Sequence, residues 1–211
     1  MPPKRTSYHH GALRDELLSA SLRLIEAEGI GAVSLRRVAR EAGVSPGAPY
    51  HHFADRAALL AALSEQGFRL LTTEFAAARA AALDAGDGPV QVLGALLRAY
   101  VGFAQGHRAY FRLMFRPELF EPDKHPGVKA AEHGAEDCLE EAVADCVRAG
   151  LVPPGDADTV GIAAWSLAHG LASLWLDGQF RHYTDDPAAV AARITALIES
   201  FIGARASGQH G

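Results

Sequence analysis

Apolar residues recur three or four positions apart through nearly all of this 211-residue chain, which is the spacing of a helix face. Leu17, Leu18, Leu22 and Ile25 form one such face near the N-terminus. No segment shows the strict two-residue alternation and β-branched enrichment that predict a strand. The chain is therefore predicted to be all-α, with about nine helices.

Capping residues, glycines and prolines set the predicted bounds of these helices. Ser34 is a suitable N-cap for a short second helix, and Gly43 is placed to end it in a left-handed turn. Ser45 and Asp55 would cap the two helices that follow. The predicted helices cover residues 13–28, 35–42, 46 to about 53, 56–83, 89–105, 108–115, 128–149, 156–176 and 187–202.

Charge is divided unevenly along the chain. Residues 1–60 hold eight Lys and Arg against six Asp and Glu, whereas residues 61–211 hold twelve against nineteen. An acidic surface repels a polyanion, so any contact with nucleic acid is expected from the N-terminal part alone. We predict two domains, residues 1–55, with an N-terminal arm at 1–10, and residues 56–211.

The sequence also predicts the compartment. No run of about 18 uncharged apolar residues occurs, and residues 1–5 lack the apolar stretch of a secretory signal. The protein is therefore expected in the cytoplasm. Cys138 and Cys146 lie about 12 Å apart along one predicted helix, too far for a disulfide, so both are expected to be reduced.

The second and third predicted helices form a helix-turn-helix, two short helices joined at Gly43. The second helix of this motif fits a DNA major groove, which is about 12 Å wide. Val38 and Ala39 are predicted to pack inside, and Ala42 is small enough for close approach of the helices.

The stretch from Leu13 to Leu60 contains the ordered segments SLRRVA at 34–39, AGVSPGAPYHHF at 42–53 and DR at 55–56. On these motifs it closely resembles the TetR family of transcriptional regulators. The resemblance implies a DNA-binding domain over residues 1–55 and a helical effector-binding and dimerisation domain over residues 56–211.

The resemblance also implies which residues contact DNA, and in that family the equivalents of Tyr50 and Arg56 hold phosphates. Arg36 and Arg37 stand in the first turn of their helix, where positive charge opposes the helix dipole and costs free energy. A phosphate or a guanine edge nearby would offset this cost. The alternative for these cations is a solvated basic face. The predicted DNA-binding residues are Arg36, Arg37, Ser45, Pro46, Gly47, Ala48, Tyr50, His51 and Arg56.

Pro49 departs from a regular recognition helix. It falls near the fourth position of the predicted third helix, where it cannot donate to the carbonyl of Ser45. The base register therefore cannot be transferred from relatives that lack this proline. Two interpretations stay open for the N-terminal arm, a flexible segment contacting phosphates or the minor groove and a frayed terminus; its polar residues are Lys4, Arg5, Tyr8, His9 and His10.

The helices at 156–176 and 187–202 are predicted to form a homodimer, because the last two long helices of TetR-family proteins build a four-helix bundle across the two-fold axis. The first is apolar around nearly its whole circumference, which predicts burial on both sides. Its pattern Trp165-x-x-x-His169-Gly170 resembles the C-terminal domain of one TetR subgroup. The second presents one apolar stripe, Val190, Ile194, Leu197, Ile198 and Phe201.

Aromatic and Met side chains concentrate in the predicted effector-binding domain. Such residues are more often plain core, but pockets for small molecules in helical bundles use the same types. The candidates for an effector pocket are Tyr100, Phe103, Tyr110, Phe111, Met114, Phe115, Trp165 and His169.

Metal binding and catalysis are less well supported. His133 and Asp137 lie one helical turn apart and His169 is a conceivable third ligand, but no dense ligand motif such as H-E-x-x-H occurs. Ser166 and His169 are also one turn apart, yet no G-x-S-x-G elbow is present. We predict that the protein is not an enzyme and has no cofactor and no metal.

These observations lead to one main hypothesis. The protein is predicted to be a sequence-specific transcriptional regulator, a repressor released from a palindromic DNA operator by an unknown small-molecule effector. The alternative is a ligand-binding or protein-interaction module with weak, non-specific DNA binding.

Overall fold

The computed structural model describes residues 6–180 and 186–208, and the regular secondary structure in this part of the chain is all helical, without a strand. The all-α prediction is confirmed. Eight α-helices are present among the described residues: α1 (Thr6–Glu28), α2 (Leu35–Glu41), α3 (Arg56–Asp84), α4 (Pro89–Gly106), α5 (Arg108–Met114), α6 (Pro126–Arg148), α7 (Ala157–Leu176) and α8 (Pro187–Gly208).

Helix α1 begins at Thr6, earlier than the predicted start at Leu13. The backbone of Tyr8, His9 and His10 is therefore helical. Lys4 and Arg5 of the predicted arm lie outside the described residues, as do the side chains of residues 6–10.

The predicted third helix is the one element that the sequence analysis assigned wrongly. The chain makes a turn after Ser45 and then a short 3-10 helix, Ala48–His51, instead of an α-helix from Pro46. Amides bond three residues back, Ala48 to the carbonyl of Ser45 at 3.0 Å and Tyr50 to that of Gly47 at 3.2 Å. Pro49 has no N–H, so it cannot donate to the carbonyl of Ser45 as an α-helix from Pro46 requires.

The predicted caps Ser34 and Asp55 are confirmed, whereas the predicted cap Ser45 is not, because a turn and a 3-10 helix without a side-chain cap follow it. The Ser34 hydroxyl accepts a hydrogen bond from the backbone N–H of Arg37 at 3.3 Å, and a carboxylate oxygen of Asp55 accepts one from that of Ala58 at 2.8 Å. These bonds satisfy amides that a helix start leaves without an intrahelical partner. Gly43 follows α2 with φ of 68°, the left-handed conformation predicted for it.

The chain divides into two compact units. The first contains the chain up to Gly67 together with Arg108–Ala131, and the second contains Phe68–His107 and the chain from Glu132 onward. Helices α3 and α6 therefore each contribute residues to both units. The functional domain boundaries of 1–55 and 56–211 stay a prediction.

In the first unit, α1 packs against α2 and α5. Leu17, Ile25, Val38 and Leu59 are fully buried, and Ala39 nearly so. The prediction that Val38 and Ala39 face inward is thus confirmed. Their burial fixes the face that α2 turns to solvent.

In the second unit, α4 packs against α7 and α8. Leu93, Leu96 and Phe103 of α4 are buried. Helix α7, with the turn before it, is the one stretch of the described residues long and apolar enough to cross a membrane, with a mean hydropathy of 1.3 over an 18-residue window within residues 154–176. A core helix of a soluble protein meets the same criterion, so this finding by itself is weak evidence.

We expect Ser34→Ala to lower the free energy of unfolding by about 1 kcal/mol, since it removes the cap of α2. Chemical denaturation would measure the change. Ser19→Ala, on an exposed position of α1, is the control and should be neutral or slightly stabilising. Equal values for the two variants would contradict a capping role for Ser34.

Candidate nucleic-acid interface

The two arginines at the start of α2 have different surroundings. Arg37 is half-buried, and its guanidinium forms a bidentate ion pair with Glu28 of α1, with Nη1 3.0 Å from Oε2. This hydrogen bonding holds the pKa of the Glu28 carboxyl below its ordinary value. Arg37 thus joins α2 to the end of α1, and its predicted contact with DNA stays a prediction.

Arg36 is exposed and has no ion pair in the described part of the chain. Arg40 stands one turn later on the same side of α2 and is also exposed without such a pair. Sequence reasoning missed Arg40, although its four-residue separation from Arg36 is the signal that places the two together. A pair of exposed cations on one helix side is suited to a phosphate or a base edge.

The turn after Ser45 and the 3-10 helix after it present polar groups and backbone to solvent. Ser45, Pro46 and Gly47 are exposed, and Ala48 is half-buried. The small size of these residues lets a ligand approach the backbone closely.

The two predicted contact residues of the 3-10 helix also face solvent. Tyr50 is 53% exposed and His51 is exposed as well. Pro49, directly before them, is buried and fixes the backbone. The structure therefore brings the predicted recognition residues to the surface, but on a tighter helix than predicted.

Arg56, the first residue of α3, is bonded to the backbone. Its Nε donates to the carbonyl of Val33 at 2.8 Å and its Nη2 to that of Ile30 at 2.9 Å. These carbonyls belong to a short 3-10 turn, Ile30–Ala32, and the residue after it. The predicted phosphate contact of Arg56 stays a prediction, and the geometry gives this side chain a scaffold role.

A cation–π contact with α1 supports the segment that follows the 3-10 helix. The guanidinium carbon of Arg14 lies 5.6 Å from the centre of the Phe53 ring. Phe53 is buried directly after the 3-10 helix and its cap. Contacts at this distance stabilise a ring against a cation, so Arg14 helps to position the segment that carries Tyr50.

Sequence profiles of two families match the chain over these elements. The profile described as "Bacterial regulatory proteins, tetR family" matches residues 17–63, and "Tetracyclin repressor-like, C-terminal domain" matches residues 93–198. The chain belongs to the TetR family. TetR-family members are DNA-binding transcriptional regulators with a ligand-binding C-terminal domain, and they are typically non-enzymatic.

Solved structures agree with this assignment. A protein of unknown function from Rhodococcus sp. RHA1 is 35% identical, with 93% of this chain and 98% of that chain covered and a TM-score of 0.78. The TetR-family regulator PfmR from Thermus thermophilus is 23% identical, with 88% and 98% covered and a TM-score of 0.69. FadR from Bacillus subtilis, solved with stearoyl-CoA, is 13% identical, with 88% and 97% covered and a TM-score of 0.70.

The last two similarities show the fold alone. A search of curated proteins gave no match. Within the family, the resemblance of Trp165, His169 and Gly170 to one subgroup stays a prediction.

Three predicted effector residues of this TetR-family chain come together between α4 and α7. The hydroxyl of Tyr100 and Nδ1 of His169 are 2.7 Å apart, and the Trp165 and His169 rings are 5.6 Å apart at their centres. Phe75 stacks on Tyr100, with ring centres 6.3 Å apart. We call Tyr100, Trp165 and His169 the α4–α7 polar cluster.

Hydrogen bonding and burial set the charge states of this cluster. An indole N–H can only donate, so the hydrogen bond between Trp165 and Tyr100 uses the tyrosine oxygen as acceptor. The direction of the hydrogen bond between Tyr100 and His169 depends on which imidazole nitrogen has the proton. Burial raises the pKa of Tyr100 and lowers that of His169, so both groups are neutral near pH 7.

The other effector candidates are distributed differently. Phe103 is buried in the second unit, with its ring centre 5.1 Å from that of His107. Tyr110 and Met114 belong to the first unit, where both lie close to Gly67 of α3. The remaining two aromatic candidates, Phe111 and Phe115, contact each other with ring centres 5.5 Å apart.

An apolar cavity of about 10 Å³ lies in the second unit between α4, α7 and α8. Its lining includes Leu97, Leu171 and Ile194, and none of the predicted effector residues. This volume holds about one water molecule. An effector there would need these helices to move apart.

The described residues contain no group of three metal-ligating side chains. His133 and Asp137 are both exposed on α6. Cys138 and Cys146 are free thiols, and burial raises the pKa of Cys146 to about 11, so this thiol is protonated at neutral pH.

The lowered pKa of His169 predicts a pH dependence of stability. The unfolded chain protonates this histidine near its ordinary pKa of about 6.5, whereas the folded chain does so only at lower pH. The free energy of unfolding should therefore fall as the pH falls below about 6.5. Denaturation at pH 5 to 8 would show a shallower dependence in His169→Gln, and His51→Gln, at an exposed site, is the control. Equal slopes in His169→Gln and the wild type would contradict this prediction.

Proposed function

We propose that this TetR-family chain is a cytoplasmic homodimeric repressor that leaves an inverted-repeat operator when a small molecule binds. The observation that carries the proposal is the division of cations in the first unit. Arg37 and Arg56 are bonded within the protein, whereas Arg36 and Arg40 face solvent on the same helix-turn-helix as Tyr50 and His51. Exposed cationic and polar side chains on a fixed backbone are suited to contacts with DNA.

Within this proposal the exposed groups have separate roles. Arg36 reads a base edge, since an arginine can bond both acceptors of guanine. Tyr50 and Arg40 position the protein on phosphates, and Ser45, Pro46, Gly47, Ala48 and His51 lie along the groove. The 3-10 geometry of Ala48–His51 makes the order of base contacts specific to this chain.

The dimer is supported by apolar surface on the last two helices. Ile162 of α7 is 65% exposed and Leu197 of α8 is 70% exposed. Trp165, Leu167 and Leu174 add further exposed apolar surface to α7. Apolar patches of this kind mark interfaces between subunits. Phe201 of the predicted stripe has a side chain outside the described residues.

The effector site is proposed around the α4–α7 polar cluster, because it joins aromatic faces to a defined hydrogen-bond network. A ligand that separates α4 from α7 must break or replace the bond between Tyr100 and His169. A hydroxyl left buried without a partner costs free energy. The site therefore favours a ligand with its own polar group next to an apolar body.

We expect selection from a random DNA library to return an inverted repeat, with half-site centres about 34 Å apart or a multiple of it. Arg36→Ala should lower the preference for one base position by about 1–3 kcal/mol. Arg37→Ala is the matched control, and it should reduce the free energy of unfolding more than it changes base preference. Fluorescence anisotropy on single-base operator variants would measure base preference for both variants, and chemical denaturation would measure their free energies of unfolding.

Recovery of no enriched sequence would contradict the proposed regulator. Weak binding that disappears at moderate salt would instead favour a ligand-binding or interaction module with non-specific DNA affinity. An enriched but asymmetric sequence would contradict the dimeric arrangement.

The effector proposal predicts reciprocal coupling. A small molecule found by thermal-shift screening should weaken operator binding by some factor. The operator should weaken the binding of that compound by the same factor. Tyr100→Phe should reduce affinity for that compound and leave operator binding without it unchanged. Titration calorimetry with and without operator would measure both factors, and equal compound affinity in both titrations would contradict the coupling.

A further inference from the structure

Three arginines follow one another at four-residue spacing along α5 and the turn after it. Arg108 is the first residue of α5 and Arg112 lies one turn later. Arg116 follows the helix, where its backbone N–H donates to the carbonyl of Leu113 at 3.0 Å. All three are exposed, and we call them the α5 arginine surface.

The packing of α5 keeps these arginines on the outside. Ala109, Tyr110, Leu113 and Met114 are buried on the rest of the helix. Rotation of α5 to hide a guanidinium would bring these apolar side chains into water. The orientation of Arg108 and Arg112 is therefore set by the core of the first unit.

The α5 arginine surface has no carboxylate partner among the described residues. In the described part of the chain, no ion pair within 4 Å and no side-chain hydrogen bond involves Arg108, Arg112 or Arg116. By contrast, Lys124 and Lys129 of the same unit pair with Glu121 and Asp123. Like charges one helical turn apart repel each other, so this arrangement suits an anion from outside the chain.

The distribution of charge between the two units indicates which anion fits. The first unit has 13 Lys and Arg against 10 Asp and Glu, whereas the second has 7 against 15. Residues 108–131 alone contribute five cations and three carboxylates to the first unit. The α5 arginine surface thus belongs to the basic unit, and α5 packs against α1, which also packs against α2.

We propose that the α5 arginine surface is a second DNA-contacting surface, which binds backbone phosphates outside the bases read by the helix-turn-helix. This inference rests on the proposed function, because it takes the same DNA as the ligand. Arginine binds phosphate with a planar set of donors, and such contacts carry no sequence information. The surface therefore adds affinity and salt dependence and leaves base preference unchanged.

The test compares two double variants that remove the same charge from the same unit. Arg108→Gln/Arg112→Gln removes two unpaired cations of α5, and Lys124→Gln/Lys129→Gln removes two paired ones. Affinity is measured at 50–200 mM KCl for the selected operator within a longer duplex and for an unrelated duplex of equal length. The melting temperature of each variant checks that it folds.

We expect the arginine double variant to lower the slope of log K against log[salt] by about 1.8, at about 0.9 for each lost phosphate contact. The lysine double variant should stay near the wild-type slope. Both should keep the wild-type ratio of operator to unrelated affinity. If the arginine double variant does not fold, Arg116→Gln, outside α5, should still lower the slope by about 0.9.

Equal slopes for the two double variants would overturn the α5 proposal, whatever the base preference of the wild type. A wild type without any base preference would instead contradict the proposed regulator. The slopes on the unrelated duplex test the α5 arginine surface in that case as well. The two failures are therefore distinguishable.

Discussion

The hydrogen bonds of Arg56 hold together the part of the molecule on which DNA recognition depends. Its guanidinium donates to the carbonyls of Ile30 and Val33, the first residue of the 3-10 turn between α1 and α2 and the residue after that turn. Charged donors make hydrogen bonds about twice as strong as neutral ones. Because Arg56 is also the first residue of α3, these bonds fix the start of α3 relative to α2. The segment between the two helices, which includes Tyr50, must then span a fixed distance.

Sequence signals that act over a few residues predicted this region well. Ser34, Gly43 and Asp55 each work on amides or backbone angles within three residues, and the structure has each in the predicted role. The roles of Arg37 and Arg56 were not predictable, because their partners are 9 to 26 residues away. The prediction of the recognition helix was wrong for another reason. The sequence indicated that Pro49 disturbs a regular α-helix, but it did not show that the chain would form a 3-10 helix.

The effector candidates also depend on contacts between residues that are far apart in the sequence. Composition and periodicity selected Tyr100 and His169, which are 69 residues apart and form a hydrogen bond. Nothing in either helix alone predicts that bond, because it depends on how α4 packs against α7. Tyr110 and Met114 were selected on the same grounds and belong to the other compact unit. Residue type therefore identified candidates, and packing decided which of them share a site.

Partly buried and exposed arginine contacts in this chain respond differently to salt. Arg56 is partly buried and bonds to backbone carbonyls, and screening weakens such contacts less than those in open solvent. Arg36, Arg40 and the α5 arginine surface are exposed, so the phosphate contacts proposed for them would weaken steeply as ions compete. Rising salt would then release DNA before it loosens the helix-turn-helix. On the proposed function, the protein would leave its operator in a folded state that is able to rebind.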